Sequence, residues 1–411
     1  SGDAVGREYT RSDRITKGTY TPILESRTWM RRGHRPMSEA ASPVVSLFVP
    51  SMGGVGGVER IVVNLSKGLV ERGYEVEVAS CDFDGPLVAE LPPEAARSRL
   101  PRVDVPAAPV LGTIPGLVAY LRRRRPHTLI SFMNQVNVVA LLSRRLARVE
   151  TRLIISDHNN PRLLIDERNP VYRKDRLIYR AAKYIYPWAD GIVAVSEGVA
   201  EDLADVADID RSRITTIYNP VVSDSLREQM TEPCDHEWIN DDETRVVLGA
   251  KPEAQKNLSL LVRALSRIED EDVRLVIVGT GEQSDLLETL SRDLGIEDRV
   301  DVRGYVENIY AYMSRADVFA LSSHWEGLPT ILIEALACGC PVVSTDCPSG
   351  PREILNDGEF GRLVPVDDEA ALAGAIRSVL ESPPDRERLY RRAEDFGVRT
   401  ATDQYERLIG A

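Results

Sequence analysis

The sequence predicts an α/β protein of two doubly wound parallel-sheet domains that face each other across a cleft. Three observations predict it. The chain has 411 residues, more than one ordinary core organises. From Val44 onward, short apolar runs alternate with amphipathic stretches, the rhythm of a parallel sheet with crossover helices. That rhythm halts after Asn219-Pro220 and restarts at Arg245. Ligands of such sheets bind outside the C-terminal ends of the strands, and two facing sheets leave a cleft between them.

The elements follow in order. Residues 1–43 are polar, aperiodic and mildly basic, and predict a disordered or loosely attached arm. Within it Ser1-Gly2 reads as a tag remnant and Met37 as a natural start. The first unit, 44–219, opens with a strand over 44–49, a glycine-rich loop over 50–57, a helix over 58–72 and a strand over 75–80. Helix 117–125, strand 128–132, helix 137–148 and strand 152–156 continue it. Helix 171–186, strand 191–196, helix 197–207 and strand 214–218 complete it. Asn219-Pro220 reads as a hinge, followed by an irregular acidic stretch to Glu243. In the second unit, 220–395, strands are predicted over 245–248, 274–278, 300–303, 318–321 and 342–344. Its helices are predicted over 257–268, 284–294, 309–314, 330–337 and 370–382. A last helix, about 396–411, is expected to pack back on the first unit.

Composition narrows the function. The chain is 43% hydrophobic and 28% charged, ordinary for a soluble globular protein. Its net charge of −13 disfavours broad nucleic-acid binding. No apolar run approaches the ~20 residues of a membrane span, and the N-terminus lacks the apolar segment of a secretory signal. Five cysteines, an odd number without metal-ligand spacing, read as reduced thiols of a cytoplasmic protein. Lysine supplies only six of the 51 basic residues, which fits a GC-rich genome or, with the acidic balance, a salt-adapted host.

The stretch HWEGLPTILIEALACGCPVV carries the sharpest signal. Glu326 precedes a helix start, and Glu334 interrupts an apolar helix one turn in. Pro329 suits the first turn of a helix. The free N–H groups from Leu328 to Ile331 then form an anion site favoured by the helix dipole, and Thr330 adds a hydroxyl. Glu326 could accept hydroxyls at one end of a ligand. Glu334, leaning toward the helix N-terminus, could accept them at the other. Two acceptors flanking an anion hole describe a nucleoside-diphosphate sugar; a surface loop with a capping acid is the alternative. The glycines of SMGGVGG, Gly56 and Gly57 above all, let a backbone approach a ligand, but Gly-Gly-x-Gly-Gly is not the dinucleotide fingerprint. Asn134 and His158 each follow a strand end, as do Gly279 and Gly281.

These stretches together are similar to retaining glycosyltransferase family 4, whose members have the GT-B fold of two facing Rossmann-like domains. The resemblance rests on EGLPTILIEALACGCPVV, SMGGVGGVERIVVNLSKGLVERGYEVEVAS, ISDHNNP, ADGIVAVSEGVAEDL, YNPV and PEAQKNLSLLVRAL, in that family's order, from Val44 to the C-terminus. It implies that Glu326 contacts the donor sugar, Glu334 the ribose and the backbone of 327–330 the diphosphate. His158 would sit near the reacting face of the sugar. Val306 in GYVEN would hold the nucleobase edge, with Gly279 and Gly281 near the nucleoside. Gly56 and Gly57 would place acceptor or donor phosphates, with Asn134 lining the same cleft. The family's Arg and Lys, five positions apart, fall on Lys251 and Lys256 of VVLGAKPEAQKN. Lys at the first position keeps the charge but loses the planar fork. DCPSGPREIL resembles stretches in members that transfer hexose or N-acetylhexosamine to polyprenyl-diphosphate-linked glycans; it also reads as a proline-fixed loop with Glu353 as a helix cap.

The resemblance implies a hexosyltransferase that retains anomeric configuration, the leaving phosphate taking the acceptor proton. No cofactor or metal is expected, since Lys251, Lys256 and the helix start offset the diphosphate charge. The first unit would bind the acceptor and the second the nucleotide sugar, in a monomer or weak dimer. Arg173, Arg176, Arg180 and Lys183 on one helix, and LRRRRP at 121–126, read as contacts to anionic lipid or an acceptor diphosphate, or as a solvated basic face. The first reading implies a peripheral place on the inner face of the cell membrane. Two rivals stay open: a nucleotide-sugar epimerase of the same architecture, and a non-catalytic scaffold for glycan assembly.

Overall fold

A computed structural model of the chain describes residues 43–54, 56–105, 109–165 and 173–410. The arm and Met37 lie outside the described residues. Two sheets organise the rest. The first contains β1 (Val44–Phe48), β2 (Glu75–Ser80), β3 (Ala96–Arg99), β4 (Thr128–Phe132), β5 (Arg152–Asp157), β6 (Gly191–Ala194) and β7 (Ile214–Thr216). Their order is β3-β2-β1-β4-β5-β6-β7. The second contains β8 (Arg245–Ala250), β9 (Val273–Val278), β10 (Val300–Gly304), β11 (Val318–Leu321), β12 (Val342–Thr345) and β13 (Arg362–Val364), in the order β10-β9-β8-β11-β12-β13. All their pairings are parallel. Crossover helices cover both faces, so the strands are continuous apolar runs: Val45, Leu47, Ile130 and Ile154 are fully buried in one sheet, Val246, Leu248 and Ile277 in the other. Strand order reverses between β1 and β4 and again between β8 and β11. The loops leaving these strands diverge and open a crevice at each switch.

The helices that position the site are α1 (Gly57–Glu71), α2 (Ile114–Arg124), α3 (Asn134–Ala147), α4 (Arg173–Ile185), α5 (Glu197–Ala207), α6 (Ile309–Met313), α7 (Thr330–Ala337), α8 (Pro351–Ile354) and α9 (Val398–Gly410). Helix α1 buries Ile61, Val62, Leu65 and Leu69. Helix α3 starts three residues before the position its apolar period suggests. Met133, at φ 79°, turns the chain from β4 straight into the helix. Strands β3 and β13 were not expected. Both are edge strands, short and Arg-bearing, and carry no apolar alternation. The acidic stretch after the hinge, expected to be irregular, holds two short helices, Asp224–Gln229 and Glu237–Asn240.

The chain crosses between the sheets twice, and the crossings lie side by side. The N–H groups of Val221 and Val222 donate to the Phe396 carbonyl at 2.9 and 3.1 Å, and Val398 N–H donates to the Val222 carbonyl at 3.1 Å. Asn64 of α1 holds the Pro220 carbonyl at 2.7 Å. Helix α9 then packs on α1 through buried Ala401, Tyr405 and Ile409. The approach is so close that a Cβ at Gly68 would lie 2.2 Å from Thr402 Oγ1.

Candidate functional site

At the switch of the second sheet, the loops after β8 and β11 meet. Lys256 Nζ lies 2.6 Å from Glu326 Oε1, with side chains only 12% and 6% exposed. Ser323 Oγ donates to the same oxygen at 2.6 Å, and Gln255 Nε2 to the other at 3.2 Å. Gln255 also holds the Trp325 carbonyl at 2.8 Å, while Ser322 Oγ grips the Lys256 carbonyl at 2.8 Å. The acid and the lysine are thus fixed from both loops. A buried pair of this kind is costly to desolvate and costlier to break by losing one partner.

Helix α7 starts three residues beyond the Glu326–Gly327 bond, after Leu328 and Pro329, both buried. Ahead of the Leu332 N–H, which donates to the Pro329 carbonyl at 3.0 Å, its first N–H groups have no carbonyl partner within the helix. Glu334, one turn in, is buried. Burial pushes its pKa up, while the charges of Arg60 and Lys251 and a 3.4 Å hydrogen bond from the Tyr310 hydroxyl pull it down. Tyr310 stands on α6. Lys251 sits in the left-handed region at φ 58° and donates its N–H to the Val278 carbonyl at 2.8 Å.

The first sheet supplies the opposite wall through loops rather than charges. Asn134 begins α3 beside β4 and is buried. With Pro50, Asn160, Gln255, Trp325 and Glu326 it lines a cavity of about 370 Å³ between the domains. The loop after β5 is anchored by Asp157, whose buried carboxylate accepts from the hydroxyls of Tyr179 at 2.9 Å and Tyr186 at 3.0 Å. Burial raises its pKa to about 6. His158 follows. Its Nε2 lies 3.0 Å from Ser156 Oγ, its ring packs 5.8 Å from the Phe132 ring, and burial lowers its pKa to about 4, leaving it neutral at pH 7. His158 meets the donor loop through its main chain: a Cβ at Gly327 would come within 2.4 Å of the His158 carbonyl oxygen.

Two further contacts cross the cleft. A Cβ at Gly57 would lie 3.8 Å from Thr330 Oγ1, so the starts of α1 and α7 face each other. Arg60, one turn into α1, lies 5.9 Å from the centre of the Tyr310 ring and 3.7 Å from Glu90. Sequence reading missed Arg60 because a charged pair in "VER" looks like a solvated helix face; its only signal was its place one turn after the glycine-rich loop. It missed Asp157 because an acid at a strand end is ordinary until two tyrosines close over it.

Gly279 (φ 99°) and Gly281 pack against Lys251 and Pro252, and Val306 follows β10; all lie on the side of β8 away from β11. Gly56 caps α1. The LRRRRP cluster stands at the opposite end of the first sheet from the cleft. There Arg122 holds the Leu146 carbonyl at 2.9 Å, and Arg124 pairs with Glu75 and Glu77 at 2.9 and 2.7 Å. That placement removes the cluster from any acceptor diphosphate in the cleft. On α4, Lys183 pairs with Asp208 at 2.6 Å, beside the exposed Tyr184; the side chains of Arg173 and Arg176 lie outside the described residues. Among the described residues no helix is long and apolar enough to cross a membrane.

Comparison with known proteins agrees with this architecture. Residues 235–396 match the model of glycosyl transferases group 1, and residues 55–225 match that of Glycosyltransferase Family 4. The chain is 32% identical over 288 residues to the N-acetylgalactosamine-N,N'-diacetylbacillosaminyl-diphospho-undecaprenol 4-alpha-N-acetylgalactosaminyltransferase of Campylobacter jejuni, covering 68% of this chain and 75% of that protein. It is 29% identical over 379 residues to a D-inositol 3-phosphate glycosyltransferase of Xylanimonas cellulosilytica, covering 83% and 87%. Among solved structures, Anabaena Alr3699/HepE in complex with UDP-glucose superposes with a TM-score of 0.73 at 20% identity, over 90% of this chain and 99% of that one.

Proposed function

The chain belongs to the family 4 glycosyltransferases and has their GT-B fold, and from that premise we propose that it moves a hexose or N-acetylhexosamine from a nucleoside-diphosphate sugar to a glycan acceptor carried on a polyprenyl diphosphate. The observation that carries the donor half is the Lys256–Glu326 pair beside the start of α7. Without ligand each buried charge satisfies the other. A diphosphate sugar brings an anion for Lys256 and hydroxyls for Glu326 at once, so the exchange leaves neither charge stranded. The diphosphate then rests on the main chain of Gly327 to Thr330, with Lys251 on its flank, and Glu334 receives the ribose hydroxyls.

The acceptor half rests on the Campylobacter relative, whose name records transfer of N-acetylgalactosamine to an undecaprenol-diphosphate-linked sugar. The acceptor enters on the first-domain wall, past Asn134 and the loop of His158. Anomeric configuration is retained, with attack on the face the diphosphate leaves and the leaving phosphate taking the proton. The lysines and the helix dipole offset the developing charge, so no metal is required. Helix α4 brings the enzyme to an anionic membrane surface, with Arg180 and Tyr184 outward.

The test is a thermal-shift screen against UDP-, GDP- and ADP-sugars, followed by NMR of the product linkage made with the stabilising donor. One donor class should stabilise the protein, and the anomeric centre should keep its configuration. Stabilisation by none, or an inverted linkage, refutes the reading.

A further inference from the structure

We infer that Glu353 is a positioning residue: it caps a helix of the opposite domain and thereby holds the cleft closed around the donor loop. Both its oxygens accept from the N–H of Glu197, at 2.8 and 3.1 Å. Glu197 is the first residue of α5 in the first domain, whereas Glu353 stands on α8 in the second. The cap that α5 carries within its own chain segment, Ser196 Oγ, serves a different group, the N–H of Val199 at 3.1 Å. A carboxylate at a helix N-terminus is favoured both by the orphan amide and by the dipole. Here that favourable contact exists only when the two domains are together. Tyr218, on the segment leading into the hinge, also donates to Glu353. From behind, Arg392 fixes α8 by holding the carbonyls of Glu353 at 2.6 Å and Ile354 at 2.8 Å.

The segment that ends in Glu353 also touches the donor loop. Gly350, at φ 87°, lies so close behind it that a Cβ there would be 2.4 Å from Pro329 Cδ and 2.9 Å from the Gly327 oxygen. Ser349 Oγ accepts from Asn160 Nδ2 of the first domain at 2.8 Å. Ser196 Oγ donates to the Gly327 carbonyl at 3.4 Å. Residues 349–353 are therefore a strut with the donor loop on one side and the start of α5 on the other. Its role rests on the reading of 326–330 as the donor loop. The strut thus favours the closed arrangement and lowers the free energy of closure that donor binding must supply.

The test places spin labels at Arg123→Cys and Arg377→Cys, both exposed and one on each domain, in a Cys81→Ser background, and measures the interdomain distance without donor. The parent should give one short, narrow distribution. Glu353→Ala should give a longer, broader one, with the donor KM raised about tenfold and kcat nearly unchanged. Glu353→Gln keeps an accepting oxygen and should recover part of both effects, which a change in general stability would not produce. An unchanged distribution in both variants overturns the inference, as does a loss confined to kcat. Lys256→Gln in the same kinetic assay reports separately on the donor loop: an unmoved donor KM there removes that reading, while the distances still decide whether Glu353 closes the cleft.

Discussion

The two sheets share one topology and differ in what they place at the switch. At β8/β11 the protein buries charge: Lys256 against Glu326, and Glu334 one helical turn away. At β1/β4 it places glycines, a left-handed Met133 and the amide of Asn134, and the nearby His158 is neutral. On the proposed function, the first switch exchanges ions with the charged donor and the second shapes a wall for the neutral glycan end of the acceptor. The fold sets where ligands bind, and the side chains at each switch set which ligand.

The sharpest way to break that contrast is Lys256→Ala. It strands a buried Glu326 and removes the charge meant for the donor. A loss of about 3–5 kcal/mol is expected in kcat/KM, a hundredfold or more, with a lowered Tm. Unchanged kinetics would mean that the charged switch is structural. Next is Gly327→Ala, whose Cβ would drive into the main-chain oxygen of His158, an atom with little room to move. It should cost about 1–3 kcal/mol, mostly as a cleft that no longer closes, so turnover should fall more than Tm.

Glu334→Gln sharpens the contrast by separating stability from function. Burial holds the Glu334 carboxyl above its ordinary pKa. The folded protein therefore binds that proton more tightly than the unfolded chain, and stability is lost as pH rises from the unfolded value toward the folded one. Removing the charge should raise Tm at pH 7 and leave it unchanged near pH 4. Donor affinity should drop in the same variant. The smallest effect belongs to the neutral switch: Asn134→Ala should cost about 1 kcal/mol or less, seen as a raised acceptor KM with donor binding intact.

Much of this is legible in the sequence. Parallel strands buried on both faces announce themselves as apolar runs, and the restart of the rhythm at Arg245 marked the second sheet. Two of the four edges were not legible, because β3 and β13 are short and Arg-bearing by the same physics that keeps edges from pairing. At the site, Glu326 and Glu334 stood out because acids are anomalous beside and within an apolar helix. Arg60 and Glu353 did not, since a charge on a helix surface and an acid in a helix's first turn are ordinary features. Their partners lie 250 and 156 residues away in sequence, and only the folded chain brings them together. Glu353 read as a helix cap, and the helix it caps belongs to the other domain. The epimerase and scaffold alternatives give way to the matches along both halves of the chain and to a transferase relative at 32% identity.

The central claim is that the start of α7 holds the donor diphosphate between Glu326 and Glu334. A crystal structure with the donor chosen by the thermal-shift screen tests it most directly. The claim predicts phosphate density on the main chain of Gly327 to Thr330, with Lys256 turned from Glu326 toward it and the ribose at Glu334. Donor density elsewhere, with the Lys256–Glu326 pair intact and the helix start empty, would contradict it.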